Sequence, residues 1–448
     1  MVSARTMLQC RQFSLEQCVM KKVIPPVKGT RDFYPEQMAV RTWLYETARA
    51  VSESFGYQEY EAPMLESLAL YVARSGDELV NDQAYVFTDR GGDQIALRPE
   101  LTASLARMIA QRQAELAFPV RWWSFGPFWR YERPQRGRTR EFFQWNVDML
   151  GASSPEADAE NVAVLASFLK RVGLSPSQVL ILVNDRRLMD AGFEELGIGA
   201  AARAGVSALL DRRSKITGEA WLKEAGELGL SASQLTRLDA FLDDRGLWKR
   251  SVELRRFFAA VDALGVAEFV RFDASIVRGL QYYTGTVFEA WEVGGEIRRS
   301  LLGGGRYDRL LSDVGGTPLP AVGFALGDVV MTLLLEKYGL LPAHLTEYPA
   351  AILVTVFDAE HHLASLELAA DLRRNGLQVA LYPDPDKLAR QFKYADKIRA
   401  RLALVLGPDE ARAGQVTLKD LATGVQQSVD RGHVAGACRE ALEAPRPR

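Results

Sequence analysis

Two strand-like segments flank a strongly basic loop between residues 120 and 151, and this pattern restricts the fold more than any other part of the chain. In the second segment Phe143, Trp145 and Val147 alternate with polar residues, as side chains do on the two faces of a strand. The loop, residues 133–140, is too basic and too glycine-broken to belong to a core. The sequence therefore predicts a hairpin with a cationic tip.

Polar residues on both predicted strands mark one face of this hairpin. Gln144, Asn146 and Asp148 share a face of the second strand, and Arg130 and Glu132 share a face of the first. These side chains either line a cleft, in which an arginine meets a phosphate or carboxylate through paired donors, or form the solvated outer face of an antiparallel sheet. Both interpretations remain open at this point.

The 448 residues suggest two to four domains, at roughly 150 residues per domain. We predict an N-terminal extension without fixed structure over residues 1–22, or a transit peptide. A mixed α/β domain follows over residues 23–348, with a helical insertion at about 190–255. Residues 349–448 alternate apolar strands with helices, which indicates a small βαβ-type domain. The predicted fold class is thus α+β with a mixed, mainly antiparallel sheet, followed by a small α/β domain.

Composition excludes several functions. No apolar run approaches the ~20 residues of a membrane-spanning helix, so we expect a soluble protein. Three cysteines, two of them in the extension, imply neither a disulfide framework nor a zinc site, and we predict no protein-bound metal. The net charge of −2 means that any nucleic-acid contact needs local basic patches. We expect a cytoplasmic protein, or an organellar one if residues 1–22 are a transit peptide.

A second informative segment covers residues 278–289 and 303–308. It places Arg278, paired tyrosines and tight glycine turns around one apparent pocket, together with Arg306. An amphipathic strand and a glycine turn would explain its apolar residues, but would not explain why these arginines and tyrosines occur together.

These motifs resemble those of class II aminoacyl-tRNA synthetases. Residues 128–132 with the basic loop resemble motif two, residues 30–63 are similar to motif one, and residues 98–102 resemble the amino-group-binding segment. The tyrosine-rich segment at 278–289 resembles that of the histidyl-tRNA synthetase family. The resemblance extends from about Lys28 to the C-terminus.

The resemblance implies activation of histidine by ATP with Mg²⁺ and transfer to histidine tRNA. Arg130 and Arg278 would be the catalytic cations on either side of the reacting phosphorus. The implied histidine-binding residues are Glu100, Thr102, Arg130, Gln144, Asp148, Arg278, Tyr282, Tyr283 and Tyr307. The implied ATP contacts are Arg130 for the α-phosphate, Glu132 for the adenine amino group and Arg138 for the γ-phosphate.

The resemblance also implies tRNA contacts and a homodimer built partly on motif one. Gln135 and Arg140 match positions that touch the extra guanosine of histidine tRNA. In the last domain Arg390, Lys393, Lys397 and Arg401 follow helical spacing and form either a phosphate-binding face or a solvated one. The resemblance to the anticodon-binding domain favours the first.

Two positions depart from the family pattern. Val330 stands where motif three normally has an ATP-binding arginine, so that another cation, Arg306 or Arg138, would have to cover the triphosphate. Gln281 stands where an aspartate is usual. The competing function is a non-catalytic, histidine-sensing regulatory subunit of ATP phosphoribosyltransferase. Prolyl- and threonyl-tRNA synthetases are weaker alternatives because they lack the paired tyrosines.

Overall fold

A computed structural model of the chain describes residues 23–72, 82–213, 216–277, 283–297, 299–346 and 350–444. They divide into two compact units, one ending at Leu341 and the other beginning at Pro342. The extension predicted over residues 1–22 lies outside the described residues, as do Arg278, Gln281 and Tyr282.

The first unit contains ten α-helices within its described residues. They are α1 (Pro35–Ser54), α2 (Leu68–Val72), α3 (Thr102–Arg112), α4 (Pro155–Arg171), α5 (Arg186–Glu195), α6 (Ala200–Arg212), α7 (Gly218–Glu227), α8 (Ala232–Asp243), α9 (Val252–Ala263) and α10 (Asp328–Lys337). The three- and four-residue spacing of Val40, Leu44, Ala48, Val51 and Phe55 predicts a long helix from about Pro35 to Phe55, with Gly56 as its stop, and α1 confirms it. It starts on a proline, whose fixed φ suits a first helical turn, and Gly56 follows its end at φ +78°.

Eleven strands complete the described part of this unit. They are β1 (Gln58–Glu59), β2 (Leu65–Ser67), β3 (Tyr85–Thr88), β4 (Gln94–Leu97), β5 (Val120–Trp129), β6 (Glu141–Leu150), β7 (Val179–Asp185), β8 (Val270–Phe272), β9 (Thr286–Glu292), β10 (Leu302–Arg306) and β11 (Ala321–Gly327). Eight of them form one sheet in the order β1-β5-β6-β11-β10-β9-β7-β8, and the other three form a small sheet in the order β2-β4-β3.

The large sheet is mixed and mainly antiparallel. Only the pairs β1–β5 and β7–β8, at its two edges, are parallel among the described strands. The predicted hairpin is confirmed: β5 and β6 pair antiparallel from Val120 opposite Leu150 to Trp129 opposite Glu141. The first strand is shorter than expected, because it ends at Trp129. The prediction that Arg130 and Glu132 lie on this strand is therefore wrong, and both belong to the connecting loop.

Helices cover the sheet and complete its core. α4 packs against β6, β11, α1 and α9, and its Phe168 ring lies 4.9 Å from the buried Trp145 ring, centroid to centroid. The side chain of Ser154 caps the helix by accepting a hydrogen bond from the Ala157 amide at 3.3 Å. Helices α5 to α9 lie between β7 and β8 in sequence, where the helical composition occurs.

The second unit has its own core and sheet. Its helices are α11 (His362–Arg374), α12 (Leu388–Lys397), α13 (Pro408–Ala413) and α14 (Val434–Glu443), and its strands are β12 (Ile352–Val354), β13 (Val379–Leu381), β14 (Leu402–Val405), β15 (Gln415–Asp420) and β16 (Gln426–Asp430). The sheet order is β13-β12-β14-β15-β16, with the first three strands parallel. The predicted fold class is confirmed for both units. Within the described ranges no helix has the length and apolar character needed to cross a membrane.

Candidate active site

The polar face of β6 points into the protein and not into solvent. Asn146 and Asp148 are only 5% and 7% exposed. The interpretation of this face as a wet outer surface is therefore wrong for these two residues. Buried polar groups require partners, and the partners of Asp148 come from neighbouring strands.

Asp148 meets Tyr307 beside a glycine of the adjacent strand. The Tyr307 hydroxyl donates a short hydrogen bond to Asp148 Oδ1, and both residues are buried. Gly323 on β11 lies opposite Asp148 in the register, and a Cβ atom there would lie 2.0 Å from Asp148 Oδ1. The Asp148 carboxylate can thus occupy the space next to the β11 backbone only because residue 323 has no side chain.

Two tyrosines assigned to the imidazole pocket lie in the same hydrophobic cluster. Tyr283 and Tyr307 pack with Tyr60, Leu101 and other side chains on this face of the sheet. Burial raises the pKa of the Tyr60 hydroxyl well above its ordinary value, and the negative charge of Asp148 raises it further. Sequence reasoning missed Tyr60, since one aromatic residue in a short strand-like segment gives no sign of a distant carboxylate.

Arg98 fixes the segment that carries Glu100 and Thr102. Its guanidinium is fully buried, donates to the Glu61 carboxylate, and also donates to the carbonyls of Ala62 and Pro127, each at 2.9 Å. One side chain thus joins the chain before α3, the end of the motif-one segment and β5.

The same segment also anchors Arg130. Arg130 Nε donates to the Pro99 carbonyl at 2.9 Å, and its guanidinium carbon lies 5.2 Å from the centroid of the Phe142 ring. The Trp129 amide donates to the carbonyl of Arg98 at 3.1 Å. The structure thus places Arg130, the cation predicted for the α-phosphate, next to Pro99. The residue after Pro99 is Glu100, the carboxylate predicted to bind an ammonium group.

The hairpin loop holds the other predicted nucleotide contacts. Arg138 Nε lies 2.7 Å from Glu132 Oε2, and the amides of Gln135 and Arg138 donate to each other's carbonyls at 3.0 and 2.8 Å. Arg140 lies over the Tyr131 ring, with its guanidinium carbon 3.9 Å from the centroid. The loop is therefore an ordered turn in which Arg138 pairs with the Glu132 carboxylate and Arg140 donates to the Glu132 carbonyl.

Arg306 does not cover a nucleotide, so that interpretation was wrong. It is 3% exposed, and its guanidinium pairs with Asp158 on α4, with an N–O distance of 2.5 Å, and with Asp308 at 3.1 Å. Burial alone would lower the pKa of Arg306, but the carboxylates of Asp158 and Asp308 together outweigh this effect and raise the pKa above the ordinary value. The side chain is permanently charged, and its guanidinium is bonded to groups inside the fold.

Arg306 and Asp308 instead hold the chain that follows Tyr283. The Thr284 amide donates to the Arg306 carbonyl at 2.8 Å, and the Thr284 hydroxyl donates to Asp308 Oδ2 at 2.7 Å. Asp158 also accepts the Thr286 hydroxyl, at 2.7 Å. This buried network therefore positions one wall of the tyrosine cluster.

Val330 lies on α10 with 8% exposure, packed in the main core beside Met331 and Leu334. The helix that would carry a motif-three arginine thus presents an apolar side chain to the core at this position. Among the described residues no group of three or more His, Cys, Asp or Glu side chains is placed to hold a metal ion.

In the second unit the predicted basic stripe is only partly formed. Arg390 pairs with Asp386 at 3.1 Å, and Arg390, Lys393 and Lys397 are all exposed along α12. Gln391, on the inner face of α12, donates to the Val356 carbonyl at 2.7 Å. Assigning Arg401 to the stripe was wrong, because it lies beyond α12 and donates to the carbonyls of Leu442 and Ala444 at 2.6 and 2.7 Å.

The mainly antiparallel sheet, its motif-two hairpin and the adjoining amino-group-binding segment define a class II aminoacyl-tRNA synthetase core. A family model described as histidyl-tRNA synthetase matches residues 29–328, and one described as an anticodon binding domain matches residues 350–441. The chain belongs to the histidyl-tRNA synthetase family.

Named relatives and solved structures agree with this assignment. The chain is 38% identical over 425 residues to the chloroplastic/mitochondrial histidine–tRNA ligase of Arabidopsis thaliana, covering 92% of this chain and 87% of the relative. It is 37% identical to the histidine–tRNA ligase of Opitutus terrae, covering 92% and 97%. The crystal structure of histidyl-tRNA synthetase from Nostoc sp. PCC 7120 superposes with a TM-score of 0.78 at 26% identity, covering 94% of this chain and 100% of that one.

Proposed function

We propose that this protein is a histidine–tRNA ligase of protein biosynthesis. A histidine carboxylate oxygen attacks the α-phosphorus of ATP and forms a new P–O bond, while the bond to the bridging oxygen breaks and pyrophosphate leaves with the electron pair. The terminal ribose hydroxyl of histidine tRNA then attacks the acyl carbon, giving histidyl-tRNA and AMP. The observation that supports this proposal is the hydrogen bond from Arg130 to the Pro99 carbonyl, since it holds the cation proposed for the α-phosphate next to the residue that precedes Glu100, the carboxylate proposed for the ammonium group.

We assign the amino-acid pocket from the family resemblance. Glu100 and Thr102 bind the ammonium group, Gln144 lies by the carboxylate, and Asp148, Tyr283 and Tyr307 hold the imidazole. Tyr282 completes the proposed histidine-binding set. In support, Asp148 is buried and already accepts the Tyr307 hydroxyl. A carboxylate fixed in this way can accept an imidazole N–H and hold the ring in one orientation.

Arg130 and Arg278 stabilise the reaction from two sides of the α-phosphorus. Charge builds on the non-bridging oxygens as the carboxylate attacks, and fixed guanidinium groups stabilise that charge without transferring a proton. Glu132 binds the adenine amino group and Arg138 the γ-phosphate. The present Glu132–Arg138 pair then has to open when ATP enters.

Magnesium enters with ATP as part of the substrate. Mg²⁺ is usually bound through substrate phosphates and water with one or two carboxylates, so it needs no protein cage.

The regulatory-subunit alternative is not favoured. The named relatives cited above are histidine–tRNA ligases that match about nine-tenths of this chain. The ordered basic loop and the anticodon-binding domain also suit tRNA, which a histidine sensor does not bind. We further propose tRNA contacts at Gln135, Arg140, Arg390, Lys393 and Lys397, a homodimer, and a location in the cytoplasm, or in an organelle if residues 1–22 direct import.

ATP–pyrophosphate exchange with each amino acid in turn tests the proposed reaction. We expect exchange with histidine alone, in the presence of magnesium. A folded protein that binds histidine but catalyses no exchange with any amino acid would contradict ligase activity and would favour the histidine sensor.

Removal of residues 342–448 is expected to separate the two half-reactions. This segment is a compact unit with its own sheet. The remaining unit should therefore keep the rate of histidine-dependent exchange within about threefold of the full-length rate. The rate of tRNA charging should fall by more than ~10-fold, because contacts to tRNA phosphates are lost. Both activities are measured on the same preparation, with the full-length chain as control. An equal fall in both would show that the second unit has a structural role instead.

A further inference from the structure

An arginine that the proposed mechanism does not use stands against the tip of the hairpin loop. Arg299, in the connection between β9 and β10, donates from Nη1 to the Gly137 carbonyl at 2.6 Å. A Cβ atom on Gly137 would lie 3.6 Å from Arg299 Nη1. Arg299 therefore lies beside the turn that carries Arg138.

The charges around this turn do not balance. Burial lowers the pKa of Arg299, the positive charge of Arg138 lowers it further, and the carboxylate of Glu132 only partly opposes these effects. Among the described side chains, no carboxylate comes within ion-pair distance of Arg299, while Glu132 is already paired with Arg138. Two partly desolvated guanidinium groups around one carboxylate leave room for a further anion, which would remove the repulsion.

The same turn lies over the helix that lacks its expected arginine. A Cβ atom on Gly137 would lie 3.6 Å from Leu333 Cδ1, the same distance as from Arg299 Nη1. Leu333 follows Val330 by three residues on α10, which is slightly less than one helical turn. Arg299 thus provides a guanidinium near this part of α10, where Val330 provides none.

We propose that Arg299 binds the β- and γ-phosphates of ATP together with Arg138, and supplies the cation that is missing at position 330. The inference rests on the proposed ligase function, because it assigns the phosphates to the same nucleotide site. One N–H group of Arg299 holds the Gly137 carbonyl, and its remaining donors are directed to phosphate oxygens. Arg299 is therefore both a substrate-binding residue and a support for the loop.

Direct binding of two nucleotides tests this role without relying on turnover. The probes are an ATP analogue with a methylene group between its α- and β-phosphorus atoms, given with magnesium, and AMP, which lacks the β- and γ-phosphates. In Arg299→Gln we expect the dissociation constant of the analogue to rise about 10- to 100-fold, as for loss of a charge-assisted hydrogen bond. The dissociation constant of AMP should change less than about twofold. Arg171→Gln, at an exposed arginine on α4, is the matched control and should leave both unchanged.

A charge-retaining variant separates phosphate binding from support of the loop. Arg299→Lys should lose less affinity for the analogue than Arg299→Gln, because it keeps a cation at the site. An equal loss of AMP and analogue in both variants would mean that Arg299 only holds the loop, and would overturn the proposal. Unchanged analogue binding with weakened tRNA binding would assign the site to tRNA phosphates and would also overturn it.

The exchange assay keeps the two proposals distinguishable. If the wild-type protein catalyses histidine-dependent exchange and Arg299→Gln keeps the same KM for ATP, the inference about Arg299 fails and the ligase function stands. If the wild-type protein catalyses no exchange but binds the analogue in an Arg299-dependent manner, the phosphate site stands and the ligase function fails.

Discussion

Arg306→Ala is expected to lower the free energy of unfolding by about 3–5 kcal/mol, because it leaves the buried Asp158 carboxylate without its counter-charge. Three further contacts are lost at the same time. Arg306 also donates to the carbonyls of Ala152 and Ser154, at 2.9 and 3.3 Å, and pairs with Asp308. Such a loss is a large part of the stability of an ordinary domain.

The effect should extend to the amino-acid pocket. The backbone of Arg306 and the side chain of Asp308 hold Thr284, the residue after Tyr283. Once the guanidinium is gone, this chain segment loses a fixed support, so we expect a higher KM for histidine even at temperatures where the variant is folded. The KM for ATP should change less, because Arg130 is held by Pro99 instead.

Urea unfolding followed by circular dichroism measures the loss of stability. The double variant Asp158→Leu with Arg306→Met is the informative control, since replacing both members of a buried ion pair with apolar side chains is often neutral or stabilising. It should recover the part of the stability that Arg306→Ala loses by leaving the Asp158 carboxylate unpaired. A single variant as stable as the wild type would show that the pair is not buried in solution.

Gly323→Ala is expected to weaken histidine binding by about 10- to 100-fold, since the loss of a hydrogen bond to a charged group costs about 1.5–3 kcal/mol. The added methyl group would lie 2.0 Å from Asp148 Oδ1 and 2.8 Å from the Val147 carbonyl oxygen. The backbone of β6 is held by pairing on both sides, so the side chain of Asp148 must move. It would then lose the Tyr307 hydroxyl, and the imidazole site would lose its fixed acceptor.

Gly327→Ala on the same strand is the matched control. Nothing lies within 4 Å of a Cβ atom at residue 327, so this variant should keep its affinity for histidine within about twofold. Calorimetric titration with histidine compares the two variants, and thermal unfolding checks that both are folded. Wild-type affinity in Gly323→Ala would show that Asp148 does not hold the imidazole.

Local patterns predicted much of this fold. The alternation along β6 and the apolar spacing of α1 reflect geometry that each segment carries alone, and the structure confirms both elements. The resemblance of the motifs added the family, which the comparisons confirm. Gly56 also marked the end of α1 correctly.

Long-range partners account for what sequence patterns did not reveal. Arg306 looked like a pocket cation because its neighbours in sequence are glycine and tyrosine, but its partner Asp158 lies 148 residues away. Likewise, Arg401 follows the spacing of α12, but the helix ends at Lys397, and Arg401 donates to carbonyls at the C-terminal end of α14. The contact of Arg299 with Gly137 spans 162 residues. No local periodicity contains this information.

Arg98 also connects the two proposed small-substrate sites. Its carbonyl accepts from Trp129, just before Arg130, while its guanidinium ties the segment that leads to Glu100 to the carbonyls of Ala62 and Pro127. We therefore expect a ligand that orders one side of this junction to favour the bound form of the other, which would be positive coupling between histidine and ATP. Thermodynamic linkage requires the coupling to be reciprocal: each substrate must raise the affinity for the other by the same factor, whichever binds first.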